Sequence, residues 1–598
     1  MDASLTKAVE QWLSWNKDEA SSNEIKRLVD KKEYSQLEKL LCSRMEFGTA
    51  GLRAKMGAGF SQMNTLTIIQ TAQGLLKHAQ SQFTPEELAS KGIVIAFDAR
   101  YNSKSYASLT ASIFARAGCR VRLFSDICPT PYVAFSCRFY GLCLGVMCTA
   151  SHNPKQDNGY KVYWSNGAQI IPPHDKAIAD AIVNNLEPWE SSWEIPSIPE
   201  IYINELINDP MAEVDVEYMK LLKTSSTRLE KNRKSKLKFT YTPVHGVDTI
   251  FFYQLCTPAF NLPELIEVPL QCKPDPEFPT AEFPNPEEGK GVLKLAMEAA
   301  EAGGSRHVLA SDPDADRLAV VEKQDDGSWR AFTGNELGAI FGWWAVSNWK
   351  NSGSPDGENT YMLASTVSSV ILKTIAKKEN LLFEDTLTGF KWMGSRAKEL
   401  IDQGKKVIFA FEEAIGFMYG QNVLDKDGVS AAAVMAEIIT TLHEDNISLS
   451  QQLDNIYNTY GYHVTNNSYY ICHDKEVINT MFARIRNWGK NSGVYPEALG
   501  RFKISGIRDL YTGFDTREED KIAKLPVSKT SHMITFYFDG GAVLTMRTSG
   551  TEPKIKFYSE MIGSSRESCT SELNELIELM VKDFYQPEKN GLIARSLS

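Results

Sequence analysis

The chain has no Cys-x-x-Cys pair, no apolar run of membrane-spanning length, no excess of basic residues and no Gly-x-Ser-x-Gly elbow. Each absence removes a class of function. Ten cysteines are scattered over 598 residues, which reads as free thiols in a reducing compartment rather than a disulfide framework. No stretch approaches the roughly 20 apolar residues of a bilayer span. The net charge of -11 argues against nucleic acid or anionic membrane as a general partner, so an anionic substrate must be met by a local cationic pocket. The N-terminus, MDASLTKAVEQWLSW, reads as an acidic amphipathic helix and not a signal peptide. A cytoplasmic chain is expected, in which the sequons at Asn446 and Asn466 carry no weight. The serine that stands out, Ser151, lacks a hydrolase setting, and His152 is too close in sequence to face it as a base.

What is present is α/β alternation in three blocks and a fourth block of different character. Length alone implies three to five domains. Helices are expected on the surface between Leu5 and Met45, for example Ile25 to Leu41. In the first block, strands at 93–97, 121–124 and the run before Ser151 alternate with helices at 106–117 and 131–139, the pattern of a mainly parallel sheet. The stretch 187–199 reads as the exit. A second block holds KFTYTPV, a proline-rich loop at 273–291 with a helix start at Asn285-Pro286, and the strands HVLA and LAVVEK. A third holds YMLAS, a helix at 367–377, a glycine-bounded loop GFKWMG and the strand VIFAF, after which residues 425–429 cap a helix. From about Tyr457 the chain turns α+β, with a hairpin of MITFYF and AVLTMR across Asp539-Gly540-Gly541. The expected divisions are 1–205, 206–325, 326–455 and 456–598.

Four loops carry the chemistry. Thr149-Ala150-Ser151-His152-Asn153-Pro154 follows an apolar strand, and the proline prevents an immediate helix, so Ser151 sits on a stiff loop at the ligand-binding edge of the sheet. Asp312, Asp314 and Asp316 alternate in a proline-stiffened loop between two apolar strands. Three such carboxylates repel one another unless a hard cation such as Mg2+ joins them. An EF-hand is excluded, because Arg317 stands where the glycine belongs and Lys323 where the glutamate belongs. Ordinary turns are the plainer reading of either loop alone, but together they suit phosphoryl transfer, which needs positioning and cations more than a triad. Arg53, after the glycines at 48 and 51, and Lys161, Arg317 and Lys391 offer those cations from loops. Arg547 with the hydroxyls of Thr548-Ser549-Gly550-Thr551 suits a distal phosphate, and Glu412 suits sugar hydroxyls.

These motifs (TASHNP, DPDADR, EExxG and RTSGTEP, in that order from Glu46 to Tyr558) resemble the α-D-phosphohexomutase superfamily. NPKQDNGYKVYW, NPEEGKGVL, GFKWMG and FEEAIG are similar to the eukaryotic phosphoglucomutases that also act as phosphopentomutases, whose sister group makes glucose 1,6-bisphosphate. The resemblance implies an α/β fold of four domains around a central cleft, three of them similar mixed sheets and the fourth an α+β domain that moves. It implies Ser151 as the phosphoserine, oriented by His152, with Asp312, Asp314, Asp316 and the serine's phosphate holding Mg2+. Lys161 would be general acid/base, and Arg53 and Arg317 would stabilise the transferring group. Glu412 would bind sugar hydroxyls, and Lys391, Arg547, Ser549, Gly550 and Thr551 the substrate and its other phosphate. Glucose 1,6-bisphosphate would be the activator. The expected partners are small phosphosugars, with no nucleic acid or membrane, for a monomer. Ala414 departs from the serine that many relatives carry there, which implies a weaker hexose preference. A bisphosphate synthase using 1,3-bisphosphoglycerate stays open. An aspartyl phosphatase does not fit Asp314-Ala315-Asp316-Arg317, and a pure phosphosugar sensor has no use for a phosphorylatable serine.

Overall fold

The computed structural model describes residues 1–48, 51–197, 200–263, 265–353, 356–490, 493–549 and 553–595. Two compact units emerge: Met1–Leu337, Trp344–Pro355 and Gly389–Leu449 form one, and Gly338–Trp343, Asp356–Thr388 and Ser450–Ser598 the other.

The first unit opens with three helices, Ala3–Trp15, Glu19–Asp30 and Tyr34–Leu41. The single helix expected over 25–41 is broken, with Lys32 in the left-handed region at φ 57°. Nor are these only surface helices: Leu5, Trp12, Ile25, Leu28 and Leu37 pack on Phe60 and Leu66 in a core of their own. Six strands follow, β1 (Leu52–Lys55), β2 (Ile93–Phe97), β3 (Val121–Leu123), β4 (Leu144–Cys148), β5 (Asp157–Trp164) and β6 (Ile207–Asn208), in the order β1-β5-β4-β2-β3-β6. The centre is parallel, whereas β5 runs antiparallel to β4 and to β1. β2 and β4 are buried at every residue, as an apolar run covered on both faces must be. β6, at Ile207–Asn208, pairs with β3, so this sheet takes in residues past the expected limit of 205 and past the exit read at 187–199.

A second sheet has the order β11-β10-β9-β7-β8, from β7 (Phe239–Thr242), β8 (Leu265–Glu267), β9 (His307–Ser311), β10 (Leu318–Lys323) and β11 (Trp329–Ala331). Here too a parallel centre ends in an antiparallel hairpin, β9 with β10. The hairpin of Lys406–Glu412 with Gly416–Tyr419 repeats the device a third time. Each hairpin therefore carries a loop at the C-terminal end of its first strand. Those loops hold Ser151, the three aspartates and the Glu412 turn.

In the second unit Thr360–Ser365 pairs parallel with Leu382–Thr386. An antiparallel sheet is built on Tyr462–Ile471, Phe502–Asp509, Met533–Phe538, Val543–Thr548 and Lys554–Gly563. It packs on Phe482, Leu573, Leu576 and Phe584, all fully or almost fully buried, where truncating one leucine to alanine costs about 2–5 kcal/mol. The expected division at 455 falls inside the helix Leu449–Tyr460. Among the described residues no helix is long and apolar enough to cross a membrane, and nine cysteines are free.

Candidate active site

Ser151 is 3% exposed and holds φ at 53°, a left-handed conformation that costs an L-residue about 1–2 kcal/mol. Its backbone N–H donates to Thr149 Oγ1 at 2.9 Å, and Thr149 Oγ1 donates to Asp98 Oδ2 at 2.7 Å. The hydroxyl donates to Asp312 Oδ2 at 2.7 Å and lies 3.2 Å from His152 Nδ1. Sequence separation therefore misled: the left-handed turn brings the two adjacent side chains together, where an extended strand would part them. Burial, with Arg317 and Arg53 nearby, holds the His152 imidazole well below its ordinary pKa. A neutral ring donating from Nδ1 fits a serine whose own proton points at Asp312.

The three aspartates are essentially buried and each offers an oxygen within 4.8 Å of the others. Asp312 Oδ1 accepts the backbone N–H groups of Asp316 and Arg317 at 3.1 and 3.0 Å, which folds the loop around its own first carboxylate. Lys161 Nζ donates to Asp314 Oδ2 at 2.6 Å and to Asp316 Oδ2 at 2.9 Å. Thr130 Oγ1 adds a bond to Asp314 Oδ2 at 2.6 Å. Asp314 Oδ1 and Asp316 Oδ1 are buried without a hydrogen-bond partner among the described residues. Such orphaned oxygens are costly, and a hard cation bound by oxygen ligands relieves that cost, so the residues fit a divalent metal. Burial and the neighbouring Asp314 and Asp316 push the Asp312 carboxyl well above the usual range. Burial acts the same way on Asp314 and Asp316, but Lys161 and Lys426 outweigh it and hold both low. For Lys161 itself burial is outweighed by Asp314 and Asp316, and the ammonium is held above its ordinary value.

Of the four cations expected in loops only Arg317, between β9 and β10, sits in one. Lys161 lies in β5, Arg53 in β1 and Lys391 in the first turn of the helix Phe390–Asp402. Arg53 donates to Asn153 Oδ1 at 3.1 Å. Gly51, at φ 87°, would place a Cβ 1.9 Å from the Tyr160 carbonyl, so glycine is needed to lay β1 on β5. The N–H groups of Gly48 and Gly51 bond each other's carbonyls and are not turned to a ligand, while Thr49 and Ala50 lie outside the described residues. GFKWMG is helical, not a loop. Gly394 serves close packing there, since a Cβ would meet the Leu424 carbonyl at 2.0 Å. Arg317 Nε stands 3.9 Å from Asp312 and 3.8 Å from Asp316, with Nη1 3.4 Å from Glu287. Glu412 Oε1 accepts the Gly389 N–H at 2.7 Å. Burial and Glu413 raise its pKa. Burial lowers Lys391 to about 8.

Residues 44–188, 216–327 and 333–460 match, in turn, alpha/beta/alpha domains I, II and III of the phosphoglucomutase/phosphomannomutase family. The chain belongs to the phosphoglucomutase/phosphomannomutase family. It is 54% identical to the human protein named phosphopentomutase, over 99% of this chain and 97% of that one. It is 47% identical to the human protein named glucose 1,6-bisphosphate synthase, over 100% and 97%. The open form of the Paramecium phosphoglucomutase parafusin matches at a TM-score of 0.66 and 17% identity, covering 91% of this chain and 96% of that one, a likeness of fold. As a phosphoglucomutase/phosphomannomutase family member the chain is a four-domain α/β enzyme that isomerises phosphosugars by phosphoryl transfer.

Sequence reasoning missed several residues of this family site. Lys426 Nζ lies 3.2 Å from Asp316 Oδ2, a second ammonium, half-buried, in the carboxylate cluster. Its neighbour Asp425 accepts from Tyr163 Oη at 2.7 Å and Gln169 Nε2 at 2.8 Å. The Arg317–Gly416 bridge and the Gly428 N–H on the Ala315 carbonyl at 3.1 Å seat the third hairpin on the aspartate loop. Asp98 and Arg100, just after β2, brace the serine loop. Their sequence signal was only a charged pair at a strand's C-terminal end. In the second unit Arg547 donates to Tyr558 Oη at 3.0 Å and the Ser549 N–H to the Lys554 carbonyl at 2.9 Å. Gly550 and Thr551 lie outside the described residues.

Proposed function

We propose that this enzyme is a Mg2+-dependent mutase that moves phosphate between the C1 oxygen and the C5 or C6 oxygen of aldose phosphates, ribose or deoxyribose and glucose among them. The carrying observation is the Ser151 hydroxyl, buried and 2.7 Å from Asp312 Oδ2 on one side of a cluster with two orphaned carboxylate oxygens. In this reading phospho-Ser151 gives its group to a sugar monophosphate: the P–Oγ bond breaks, a P–O bond to the sugar forms, the sugar hydroxyl's proton leaves to a base, and the departing Oγ takes up a proton. The bisphosphate turns over, and its other phosphate returns to Ser151. A Mg2+ held by Asp312, Asp314, Asp316 and the serine's phosphate would supply charge neutralisation. His152 holds the serine oxygen, and Arg53 and Arg317 neutralise the transferring group. Lys161 is the acid/base, and Lys426 beside Asp316 is a second candidate for that role. Glu412 accepts sugar hydroxyls, Lys391 binds the substrate, and Arg547, Ser549, Gly550 and Thr551 bind the other phosphate. Glucose 1,6-bisphosphate primes the serine. The domain divisions that accompany this reading are those expected above, with the first moved past residue 208.

The phosphopentomutase relative supports placing pentose 1-phosphates first among substrates. The glucose 1,6-bisphosphate synthase relative supports a second reading, in which 1,3-bisphosphoglycerate phosphorylates the serine. A coupled assay with Mg2+ and glucose 1,6-bisphosphate, comparing ribose 1-phosphate with glucose 1-phosphate, separates them. Turnover of either sugar, lost in Ser151→Ala, is expected. Transfer from 1,3-bisphosphoglycerate without isomerisation would replace the mutase with the synthase.

A further inference from the structure

We propose that Arg100 is the positioning residue that fixes Ser151 for phosphoryl transfer, and that the proline-rich loop around Phe278 holds Arg100 in that role. The proposal rests on Ser151 as the phosphate carrier. Arg100 is 4% exposed. Its Nη2 donates to the carbonyls of Ser151 and of Asn153, the latter at 2.7 Å, and its Nη1 donates to the carbonyls of Pro154 at 2.9 Å and Asp157 at 3.3 Å. One planar cation thus gathers both ends of a loop that has no strand or helix of its own. Charge neutrality comes from elsewhere: Asp98 Oδ2 lies 3.3 Å from Nε and Asp98 Oδ1 accepts the Arg100 N–H.

The guanidinium is covered from outside by Phe278, 3% exposed, whose ring centre lies 4.8 Å from Cζ. The adjoining Glu277 accepts from Tyr101 Oη at 2.5 Å and Lys155 Nζ at 2.6 Å, joining that loop to the segment after β2, next to Arg100, and to the serine loop. This gives the proline-rich segment a task that the aspartate and sugar loops leave unassigned. The bond to the Ser151 carbonyl matters most. Ser151 is held at φ 53°, and orienting its following peptide is what keeps Oγ at Asp312 and not turned into the loop. Lysine keeps the charge but offers its donors from a single point, so it cannot span four carbonyls.

The test is Arg100→Lys in the full chain, assayed with Mg2+ after priming with glucose 1,6-bisphosphate. Misplacing a reacting group by about 1 Å costs on the order of 100-fold. The expected result is a kcat about 100-fold lower with KM within about threefold of wild type, and slowed phosphorylation of Ser151 by intact mass. Turnover is expressed per phosphorylated site, so a merely structural role, which lowers the number of sites and not their rate, would leave it unmoved. A folded Arg100→Lys protein with kcat within about threefold of wild type overturns the proposal, as does a KM that rises in step with the loss of kcat/KM. Should that variant not fold, Phe278→Leu keeps all the guanidinium donors. A five- to tenfold lower kcat is then expected, and an unchanged kcat overturns the proposal. Wild-type protein that never carries phosphate on Ser151 overturns both this and the mutase reading. Wild-type turnover lost in Ser151→Ala but kept in Arg100→Lys overturns this alone.

Discussion

Lys161 and Lys391 are two lysines of one unit, both largely out of water, with opposite electrostatics. Lys161 sits between Asp314 and Asp316, and although burial works against its charge, the two carboxylates hold its pKa up. For Lys391 burial is the larger effect, and the opposing pull of Asp175 and Glu412 does not offset it, so it is lowered to about 8. The first ammonium is already neutralised by protein. The second makes no ion pair among the described residues, and a ligand phosphate would supply one. Charge fixed in advance belongs to the serine's neighbourhood, and charge awaiting a partner belongs to the proposed substrate side.

The comparison breaks hardest at Lys161→Met. Removing one partner from a buried charge cluster costs about 3–5 kcal/mol, so a large fall in urea stability is expected, partly restored by Mg2+, with turnover down at least about 1,000-fold. A variant as stable as wild type in EDTA would show that the carboxylates do not need this cation. Lys391→Met should leave stability unchanged or slightly higher. KM for phosphosugar should rise about 10- to 100-fold, since a hydrogen bond to a charged group contributes about 1.5–3 kcal/mol; equal KM values would remove Lys391 from the substrate side. The same contrast has a pH signature. Lys391 is charged below its folded pKa of about 8 and neutral above it, so wild-type KM should climb with pH beyond about 8, approaching tenfold per unit. Lys391→Arg, charged throughout, should flatten that limb. The smallest effect concerns Ala414, partly exposed in the turn after Glu412. One added hydroxyl contact contributes about 1 kcal/mol, so Ala414→Ser should shift the glucose-to-ribose efficiency ratio by about fivefold toward glucose. An unmoved ratio would detach sugar preference from this position.

The strands leading into Ser151, Asp312 and Glu412 were legible because each is an apolar run stopped by turn formers, and the loops because their residue types are unusual together. What was not legible is who meets whom. Lys426 reaches Asp316 from another hairpin, and nothing around Asp425-Lys426-Asp427 distinguishes it from a helix cap. Asp427 does cap the helix Gly428–Glu444, which hid its neighbour's placement. Gly394 was taken for a turn because glycine's freedom and its smallness leave the same letter in a sequence, and only the Leu424 carbonyl tells which is in use. His152 was rejected as a partner facing Ser151 by a rule for regular backbone that Ser151 does not obey.

Asp312 divides its labour between two oxygens, Oδ1 latching its own loop and Oδ2 accepting the serine's hydrogen bond. In the proposed cycle that second oxygen meets two different faces. The free serine offers it a hydrogen, whereas the phosphorylated serine has none left and offers only oxygens. The contact would therefore alternate between attraction and repulsion once per half-reaction, while the latch on the other oxygen stays unchanged. Cation demand would then rise and fall with the phosphate, making the ester state of Ser151 the gauge of how tightly the cluster grips its metal.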